Sequence, residues 1–296
     1  MASDVTANPI RNVSDTALWV AVYRAMESER ADALFRDPYA RRLAGARGEA
    51  IVASIPHGRT MAWPMIVRTV VIDEIVQRCV RDGIKNVLNL AAGLDARPYR
   101  LDLPPSLRWL HVDMPDMVAY YRERMAGEAP RCELEFIEAD LRIAGKRREV
   151  FAYARTQGPL LVISEGLLIY LEAPQVTALA RDLHDVAQAR WWIADLASPM
   201  LLKFLERTWA RRLRDGNAPF LFGPAEGTTF FSPLGWREVE FRSTWDESLR
   251  VRRTMRGAHL WHLLYKFQSA RRREAGRRMS GIVLFESDGK RVSHAS

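Results

Sequence analysis

The sequence predicts an α/β fold in which helices flank a doubly wound, mostly parallel sheet. From about residue 80 onward, short apolar runs typical of buried strands alternate with stretches typical of helices. Strands that alternate with helices pair in parallel, because each helix carries the chain back across the sheet. Residues 236–245 and 281–286 are two further strand candidates, which we expect to pair as an antiparallel edge at the C-terminal end.

The predicted elements follow in chain order. Buried strands are expected at residues 85–90, 107–112, 134–137, 160–164 and 191–196. Helices are expected at residues 16–28, 39–43, 114–124, 174–187 and 200–214. Ser14 and Asp15 can cap the first helix, and Pro174 suits the first turn of the fourth. Residues 14–60 and 199–232 stand outside the alternation, and we expect them to cover the carboxyl edge of the sheet as a helical lid.

The composition of the 296 residues is ordinary for a soluble globular protein, with 48% hydrophobic and 27% charged residues. No run approaches the roughly 18 consecutive apolar residues of a membrane span, and the first residues lack the apolar stretch of a signal peptide. We therefore expect a cytoplasmic protein that does not enter a membrane. Cys79 and Cys132 are isolated, so neither a disulfide framework nor a cysteine zinc site is predicted.

The positive charge is concentrated at one end of the chain. Residues 247–296 hold 12 Lys and Arg against 4 Asp and Glu, whereas the rest of the chain holds 32 of each. Such a stretch can attract an acidic substrate, a nucleic acid or an anionic surface, or it can form a solvated helix face. Residues 250–278 contain few aromatic side chains suited to stacking on bases, so a nucleic-acid partner is not expected. We expect their basic residues to draw in an acidic substrate.

The loop after the first predicted strand is poor in glycine for a nucleotide-binding turn. The stretch NVLNLAAGLDARPYRL, residues 86–101, has Ala-Ala-Gly at positions 91–93 where such turns usually carry Gly-x-Gly. The G-x-G-x-x-G pattern that cradles a pyrophosphate is absent, so NAD and FAD are not expected. We expect Ala91 to adopt an ordinary φ, at which alanine costs nothing. Asp95 and Arg97 are expected to brace the loop or to pair with each other.

Carboxylates follow three successive predicted strands. Asp113 comes 20 residues after Gly93, Asp140 follows the third strand, and Glu165 follows the fourth. At the end of the second strand, a carboxylate is placed to accept hydrogen bonds from both ribose hydroxyls of an adenosine. After the third strand, a carboxylate can accept the adenine amino group. Each acid alone could be a helix cap or a surface group, but a scaffold does not require all three.

Six blocks of the sequence resemble the leucine carboxyl methyltransferase family, in particular its bacterial branch of S-adenosylmethionine-dependent O-methyltransferases. Their order and spacing make the resemblance more specific than any one block, and together they cover about residues 14–196. The blocks are SDTALWVAVYRAMESERADALFRDPYARRLAG (14–45), Arg68-Thr69-x-x-x-Asp73, LAAGLDARPYRL (90–101), HVDMPDM (111–117), EADLR (138–142) and ISEGLLIYL (163–171). The resemblance implies a Rossmann-like class I methyltransferase fold.

The resemblance also implies S-adenosylmethionine as the cofactor and gives roles to matching residues. Arg68 would pair with the methionine carboxylate of the cofactor, for which a guanidinium fork is geometrically suited. Ala91 and Gly93 would let the backbone lie against the cofactor, and Asp113 would hold the ribose. Glu165 would lie near the cofactor's amino-acid end.

The remaining predicted site residues concern the adenine and the methyl acceptor. By the same resemblance, Asp140 and Leu141 would contact the adenine, and Tyr170 would line the methyl-transfer site. The predicted acceptor contacts are Tyr23, His259 and His262. No metal site is expected, since the two histidines lack a third ligand.

The implied domain organisation has two parts. Residues 1–80 would form a helical cap together with the helix that carries Arg68. Residues 81–296 would form the methyltransferase core, with the lid inserted at about residues 199–232. The sequence carries no indication of an oligomeric state.

The implied activity is O-methylation of a small acidic metabolite by in-line displacement. A carboxylate is already ionised at pH 7 and needs no general base, whereas a hydroxyl or phenol does. The sequence contains no Ser/His/Asp or paired-acid motif dedicated to proton removal, which favours a carboxylate acceptor. The alternatives are hydroxyl or phenol methylation in secondary metabolism, modification of RNA, and a non-catalytic binding role.

Overall fold

A mixed sheet of seven strands forms the centre of the protein in this computed structural model. The structure describes residues 14–55, 58–156, 158–205, 207, 219–255, 257–258, 263 and 267–289. The strands are β1 (Asn86–Leu90), β2 (Arg108–Asp113), β3 (Glu133–Glu138), β4 (Leu160–Ser164), β5 (Trp191–Ala197), β6 (Trp236–Ser243) and β7 (Ser280–Ser287).

The strand order across the sheet is β3-β2-β1-β4-β5-β7-β6. The neighbouring pairs among β1 to β5 are parallel. β7 runs antiparallel to both β5 and β6. The predicted arrangement, a mostly parallel sheet with an antiparallel C-terminal edge, is confirmed, and the strands lie within two residues of their predicted positions.

The central strands are covered on both faces. Every residue of β1 and of β4 is buried, and such a strand needs a nearly continuous apolar run rather than alternation. Trp192 of β5 and Phe285 of β7 pack together with ring centroids 5.5 Å apart. This contact joins the antiparallel edge to the parallel part of the sheet.

Helices lie on both faces of the sheet and at its carboxyl edge. The α-helices are α1 (Ser14–Ser28), α2 (Ala40–Ser54), α3 (Trp63–Arg81), α4 (Arg97–Arg100), α5 (Pro115–Arg124), α6 (Ala144–Arg155), α7 (Ala173–Asp185), α8 (Thr244–Arg250) and α9 (Ala270–Arg277). Short 3-10 turns occupy Gly58–Met61, Leu168–Tyr170 and Gly227–Leu234. Residues 199–205 are also helical, and most of the rest of the helix predicted at 200–214 lies outside the described residues.

Three hydrophobic clusters form the core. Leu88 belongs to a cluster with α6 and α7, whereas its neighbour Val87 belongs to a cluster with α3, because successive side chains of a strand point to opposite faces. The third cluster joins α1 and α2 to Leu94, in the loop after β1, and to Tyr121 of α5. The N-terminal helices therefore rest on the carboxyl edge of β1 and β2.

A cavity of about 1350 Å³ lies at the carboxyl edge of the parallel strands. Its other walls come from α1, from the first turn of α3 and from residues 199–205. Ligands of open α/β sheets bind at this edge. Within the part of the chain that the structure describes, no helix is long and apolar enough to cross a membrane.

Candidate active site

The cavity brings together the predicted site residues. Its walls include every one that lies within the described residues, namely Tyr23, Arg68, Ala91, Gly93, Asp113, Asp140, Leu141, Glu165 and Tyr170. His259 and His262 lie outside the described residues. The volume of about 1350 Å³ exceeds the roughly 300–1,000 Å³ of a pocket for one small ligand. The cavity therefore has room for a cofactor and a second molecule.

Two residues of the loop after β1 adopt positive φ. Ala91 has a φ of 48° and Gly93 a φ of 55°. The expectation of an ordinary φ at Ala91 is therefore wrong, and this left-handed conformation costs an alanine roughly 1–2 kcal/mol. The turn is fixed by backbone hydrogen bonds, because Ala92 donates to the Val112 carbonyl and Asp95 donates to the Ala92 carbonyl, each at 3.0 Å. Neighbouring contacts impose the strain on Ala91.

The loop lies against α1 and against the end of β2. A Cβ atom at position 93 would lie 3.2 Å from that of Ala17, so glycine also allows α1 to approach closely. Gly93 donates its N–H to Asp113 Oδ2 at 2.6 Å, and Met114 donates to Asp113 Oδ1 at 2.7 Å. These contacts fix the carboxylate beside the backbone of the loop.

Asp113 is a buried carboxylate held by backbone groups. Burial raises the pKa of Asp113, and the two backbone N–H donors act against this rise. Asp113 pairs with no Lys or Arg among the described residues. Its remaining lone pairs can accept from hydroxyl groups, which is the chemistry of the predicted ribose contact.

Arg68 of α3 reaches two carboxylates at the ends of neighbouring strands. Its Nε donates to Glu165 Oε1 and its Nη1 to Asp195 Oδ2, both at 2.9 Å. Asp195 Oδ1 also accepts the N–H of Gly166 at 2.7 Å. The guanidinium is therefore oriented over the turn after β4, with Nη2 donating to no residue that the structure describes.

Arg97 is the centre of the ion-pair network behind Arg68. Its guanidinium donates to Glu165 Oε2 at 2.7 Å, to Asp95 Oδ2 at 2.8 Å and to Asp73 Oδ1 at 2.6 Å. Asp95 and Arg97 were expected to brace the loop or to pair with each other, and the pairing is confirmed. Burial alone would raise the pKa of Glu165, but the charges of Arg97 and Arg68 outweigh it and lower that pKa to about 2.

Asp140 and Leu141 follow β3 at the outer part of the cavity. Asp140 forms a two-point ion pair with Arg142, whose Nη2 lies 2.7 Å from Oδ2 and whose Nε lies 2.9 Å from Oδ1. The hydrogen bond from Arg142 lowers the pKa of Asp140. The predicted adenine contacts lie at the cavity, and the ion pair keeps the carboxylate charged as an acceptor.

Tyr170 is the last residue of the second 3-10 turn and lies beside α1. Its ring packs on Phe220, with centroids 5.5 Å apart. Burial raises the pKa of Tyr170, although a hydrogen bond with Thr16 and the charge of Arg68 act against the rise. The phenol is therefore protonated at neutral pH, which suits a hydrogen-bond donor or a wall rather than a base.

Tyr23 lines the cavity, but its hydroxyl is already engaged. The hydroxyl donates to the Gly58 carbonyl at 2.9 Å. Burial raises the pKa of Tyr23 to about 12. The predicted acceptor contact of Tyr23 stays a prediction.

Much of the lining of the cavity is apolar. Among its lining side chains are Met61, Trp63, Leu196, Met200, Phe204, Phe220, Trp245 and Met279. No histidine of the described residues lines the cavity. The arginines that do so bind carboxylates, for example Arg47 to Asp15 and Arg147 to Asp182.

The basic stretch at 250–278 is partly used for internal ion pairs. The pairs are Arg250 with Glu74 (2.9 Å), Arg253 with Glu27 (2.8 Å), Arg277 with Asp246 (2.6 Å) and Arg278 with Glu238 (2.9 Å). Arg252, Arg271 and Arg272 are exposed and have no acidic partner among the described residues. Attraction of an acidic substrate would rest on such residues rather than on the whole stretch.

Sequence reasoning missed Asp195. It lies in the run WWIADLA of β5, which reads as a plain buried strand. The available signal was the acid itself, because a charge inside a buried strand needs a partner. That partner, Arg68, is 127 positions away in the sequence.

The chain is similar to proteins of one sequence family. Residues 17–184 match the sequence model of the family described as leucine carboxyl methyltransferase. A relative from Parafrankia sp. (strain EAN1pec) is 36% identical in an alignment of length 181 that covers 58% of this chain and 58% of the relative. A relative from Mycobacteroides abscessus is 34% identical in an alignment of length 203 that covers 63% of this chain and 64% of the relative. Both are provisionally named S-adenosyl-L-methionine-dependent methyltransferases, and the chain matches less than two thirds of their own length.

Two solved structures share the fold. A DUF574 family protein from Streptomyces avermitilis has a TM-score of 0.56 and 15% identity, covering 90% of this chain and 96% of that one. A provisionally named methyltransferase from Thermobifida fusca YX has a TM-score of 0.58 and 16% identity, covering 94% of this chain and 96% of that one. At these identities the likeness concerns the fold alone. It agrees with the predicted Rossmann-like class I methyltransferase fold.

Proposed function

The chain belongs to the leucine carboxyl methyltransferase family, and on that premise we propose that it methylates the carboxylate of a small acidic metabolite, with S-adenosylmethionine as the methyl donor. The observation that carries the proposal is that Arg68, Asp113 and Glu165 line one cavity at the carboxyl edge of the sheet. The names of the curated relatives support the same cofactor.

The residues of the cavity suit the chemical parts of this cofactor. Arg68 would hold the methionine carboxylate through Nη2, the guanidinium nitrogen that takes part in neither ion pair. Asp113 would accept from the ribose hydroxyls, and Asp140 with Leu141 would contact the adenine. The strained loop at Ala91 would place its backbone against the nucleoside. The cofactor has no pyrophosphate that this loop would have to bind. The cofactor supplies an electrophilic methyl group on a positively charged sulfur.

The remaining walls favour an apolar or aromatic acid as acceptor. Trp63, Phe220 and Trp245 give this part of the cavity a large aromatic surface, and burial of such surface contributes roughly 25 cal/mol per Å². A carboxylate needs no proton removed before it attacks, whereas a phenol or alcohol does. The lack of a histidine among the described lining residues, together with the protonated state of Tyr170, is consistent with the carboxylate.

The protein's contribution to the reaction is positioning and exclusion of water. α1, Phe220 and residues 199–205 cover the carboxyl edge of the sheet. Holding two reactants in line at near-attack distance supplies roughly 7–11 kcal/mol. In a site of low dielectric, the attraction between an anionic acceptor and a cationic donor is stronger than in water.

The chemistry of the product tests the proposed acceptor. The protein is incubated with S-adenosylmethionine that carries tritium in its methyl group, and with aromatic carboxylic acids or the phenols of the same skeletons. We expect transfer to the acids, with release of labelled methanol in dilute alkali, because esters are hydrolysed there and aryl ethers are not. Label that is taken up only by the phenols and resists alkali would contradict the carboxylate proposal.

A further inference from the structure

Asp195 is a carboxylate at the cavity to which the preceding roles assign nothing. It lies in β5 beside the end of β4, and its side chain is 22% exposed. One oxygen accepts from Arg68 Nη1 at 2.9 Å, and the other accepts the Gly166 N–H at 2.7 Å. A carboxylate offers about four lone-pair sites. Two of them remain for a ligand in the cavity.

We propose that Asp195 binds the ammonium group of the cofactor's methionine moiety, so that Arg68 and Asp195 together recognise the zwitterion. This inference rests on the proposed function and deepens it. The two side chains present a guanidinium nitrogen and a carboxylate oxygen side by side. An α-amino acid presents the opposite charges on one carbon atom, so its carboxylate fits Arg68 Nη2 while its ammonium fits Asp195.

Within the surrounding ion pairs, Asp195 is the acid that has a single side-chain partner. Pairs of 2.6–2.9 Å connect the carboxylates of Asp73, Asp95, Glu165 and Asp195 to the guanidiniums of Arg68, Arg97 and Arg100. The network therefore has four negative and three positive groups. Each of the other three acids is bound by two side chains, whereas Asp195 is bound by Arg68 and one backbone N–H. An added cation is best received at Asp195.

A purely structural role for Asp195 would be to orient Arg68. The two roles differ in the part of the cofactor that they affect. Loss of an ammonium contact weakens only ligands that carry the amino group. Loss of Arg68 orientation weakens every ligand that carries the carboxylate, whether the amino group is present or not.

The test measures dissociation constants of the full chain and of Asp195→Asn by titration calorimetry with three ligands. These are S-adenosylhomocysteine, its analogue without the α-amino group, and 5′-methylthioadenosine, which lacks the whole amino-acid end. Since a hydrogen bond to a charged group contributes enough to change affinity about tenfold or more, the variant should bind S-adenosylhomocysteine about tenfold more weakly. It should bind the other two ligands as the unaltered chain does.

Equal weakening of S-adenosylhomocysteine and the deaminated analogue would overturn the inference, because it indicates an effect through Arg68. Unchanged binding of all three would overturn it as well. If the unaltered chain binds none of the three ligands, the proposed function itself fails. Asp185→Asn is the matched control, since Asp185 is an exposed acid paired with His184 and away from the cavity; it should leave all three constants unchanged.

Discussion

Ala91 has a backbone conformation that its side chain disfavours. Its φ of 48° places an L-residue with a Cβ in the left-handed region, where glycine is free of the penalty. The next residue, Ala92, lies in the same loop and has the same type of side chain, but its φ is not positive. Substitutions at the two positions can therefore separate the backbone strain at Ala91 from the effect that any alanine has on the conformational entropy of the unfolded chain.

Ala91→Gly should stabilise the protein slightly. Removing strain of roughly 1–2 kcal/mol outweighs the roughly 0.4–1 kcal/mol that glycine's greater freedom in the unfolded chain costs. Ala92→Gly, the control, should lose roughly 0.4–1 kcal/mol because it has only the entropic effect. Urea unfolding followed by circular dichroism measures both, and equal losses in the two variants would contradict the strain at Ala91.

Single residues at strand ends could be predicted from the sequence, whereas their partners could not. Asp113 and Glu165 follow apolar runs that end in an acid, which is a local signal. The pairing of Arg68 with Glu165 spans 97 positions, and no local pattern records it. Ala91 was misjudged because its φ is set by hydrogen bonds to β2 and to the following turn.

At the scale of elements, α1 and α2 pack more closely than their sequences indicate. The helix predicted at 39–43 ends before Gly45, a residue type that often ends a helix. Instead α2 bends at Gly45 and continues to Ser54. A Cβ atom at Gly48 would lie 2.9 Å from the Leu18 carbonyl oxygen of α1. These glycines allow a bend and a close approach of two helices.

A buried arginine attaches α1 to the loop after β1. Arg24 Nε donates to Asp37 Oδ2 at 2.8 Å, and Arg24 Nη2 donates to the Leu94 carbonyl at 2.5 Å. The side chain of Asp37 is fully buried. Breaking such a pair leaves a charge inside the protein without its main partner.

Arg24→Met should lower the free energy of unfolding by roughly 3–5 kcal/mol, because Asp37 stays buried without its nearest cation. Arg41→Met is the matched control: Arg41 pairs with Glu29 at the surface of α2, and such pairs contribute about 1 kcal/mol or less. Urea titrations of both variants compare the two costs. Adding Asp37→Asn to Arg24→Met should recover part of the loss, and equal costs for Arg24→Met and Arg41→Met would contradict the role of the buried pair.

At the scale of the whole molecule, the layers of the fold and many of the residues that line the cavity were predictable, whereas the contribution of β5 to the cavity was not. Buried strands and crossover helices each have a signature within a dozen residues, so their positions could be predicted from the sequence. The cavity depends on the strand order β3-β2-β1-β4-β5-β7-β6, which brings β4 and β5 together beside α3. Asp195 becomes part of the site only through that order.

In the proposed function, this edge of the sheet binds the adenosine and methionine parts of one cofactor. Titration calorimetry with S-adenosylhomocysteine on the unaltered chain, Asp113→Ala and the exposed control Glu123→Ala measures that binding. We predict saturable binding to the unaltered chain and to Glu123→Ala, and at least about tenfold weaker binding to Asp113→Ala, since the variant loses hydrogen bonds to a charged group. No binding to the unaltered chain would rule out a cofactor site at this edge, and the same dissociation constant in all three proteins would rule out the ribose contact of Asp113.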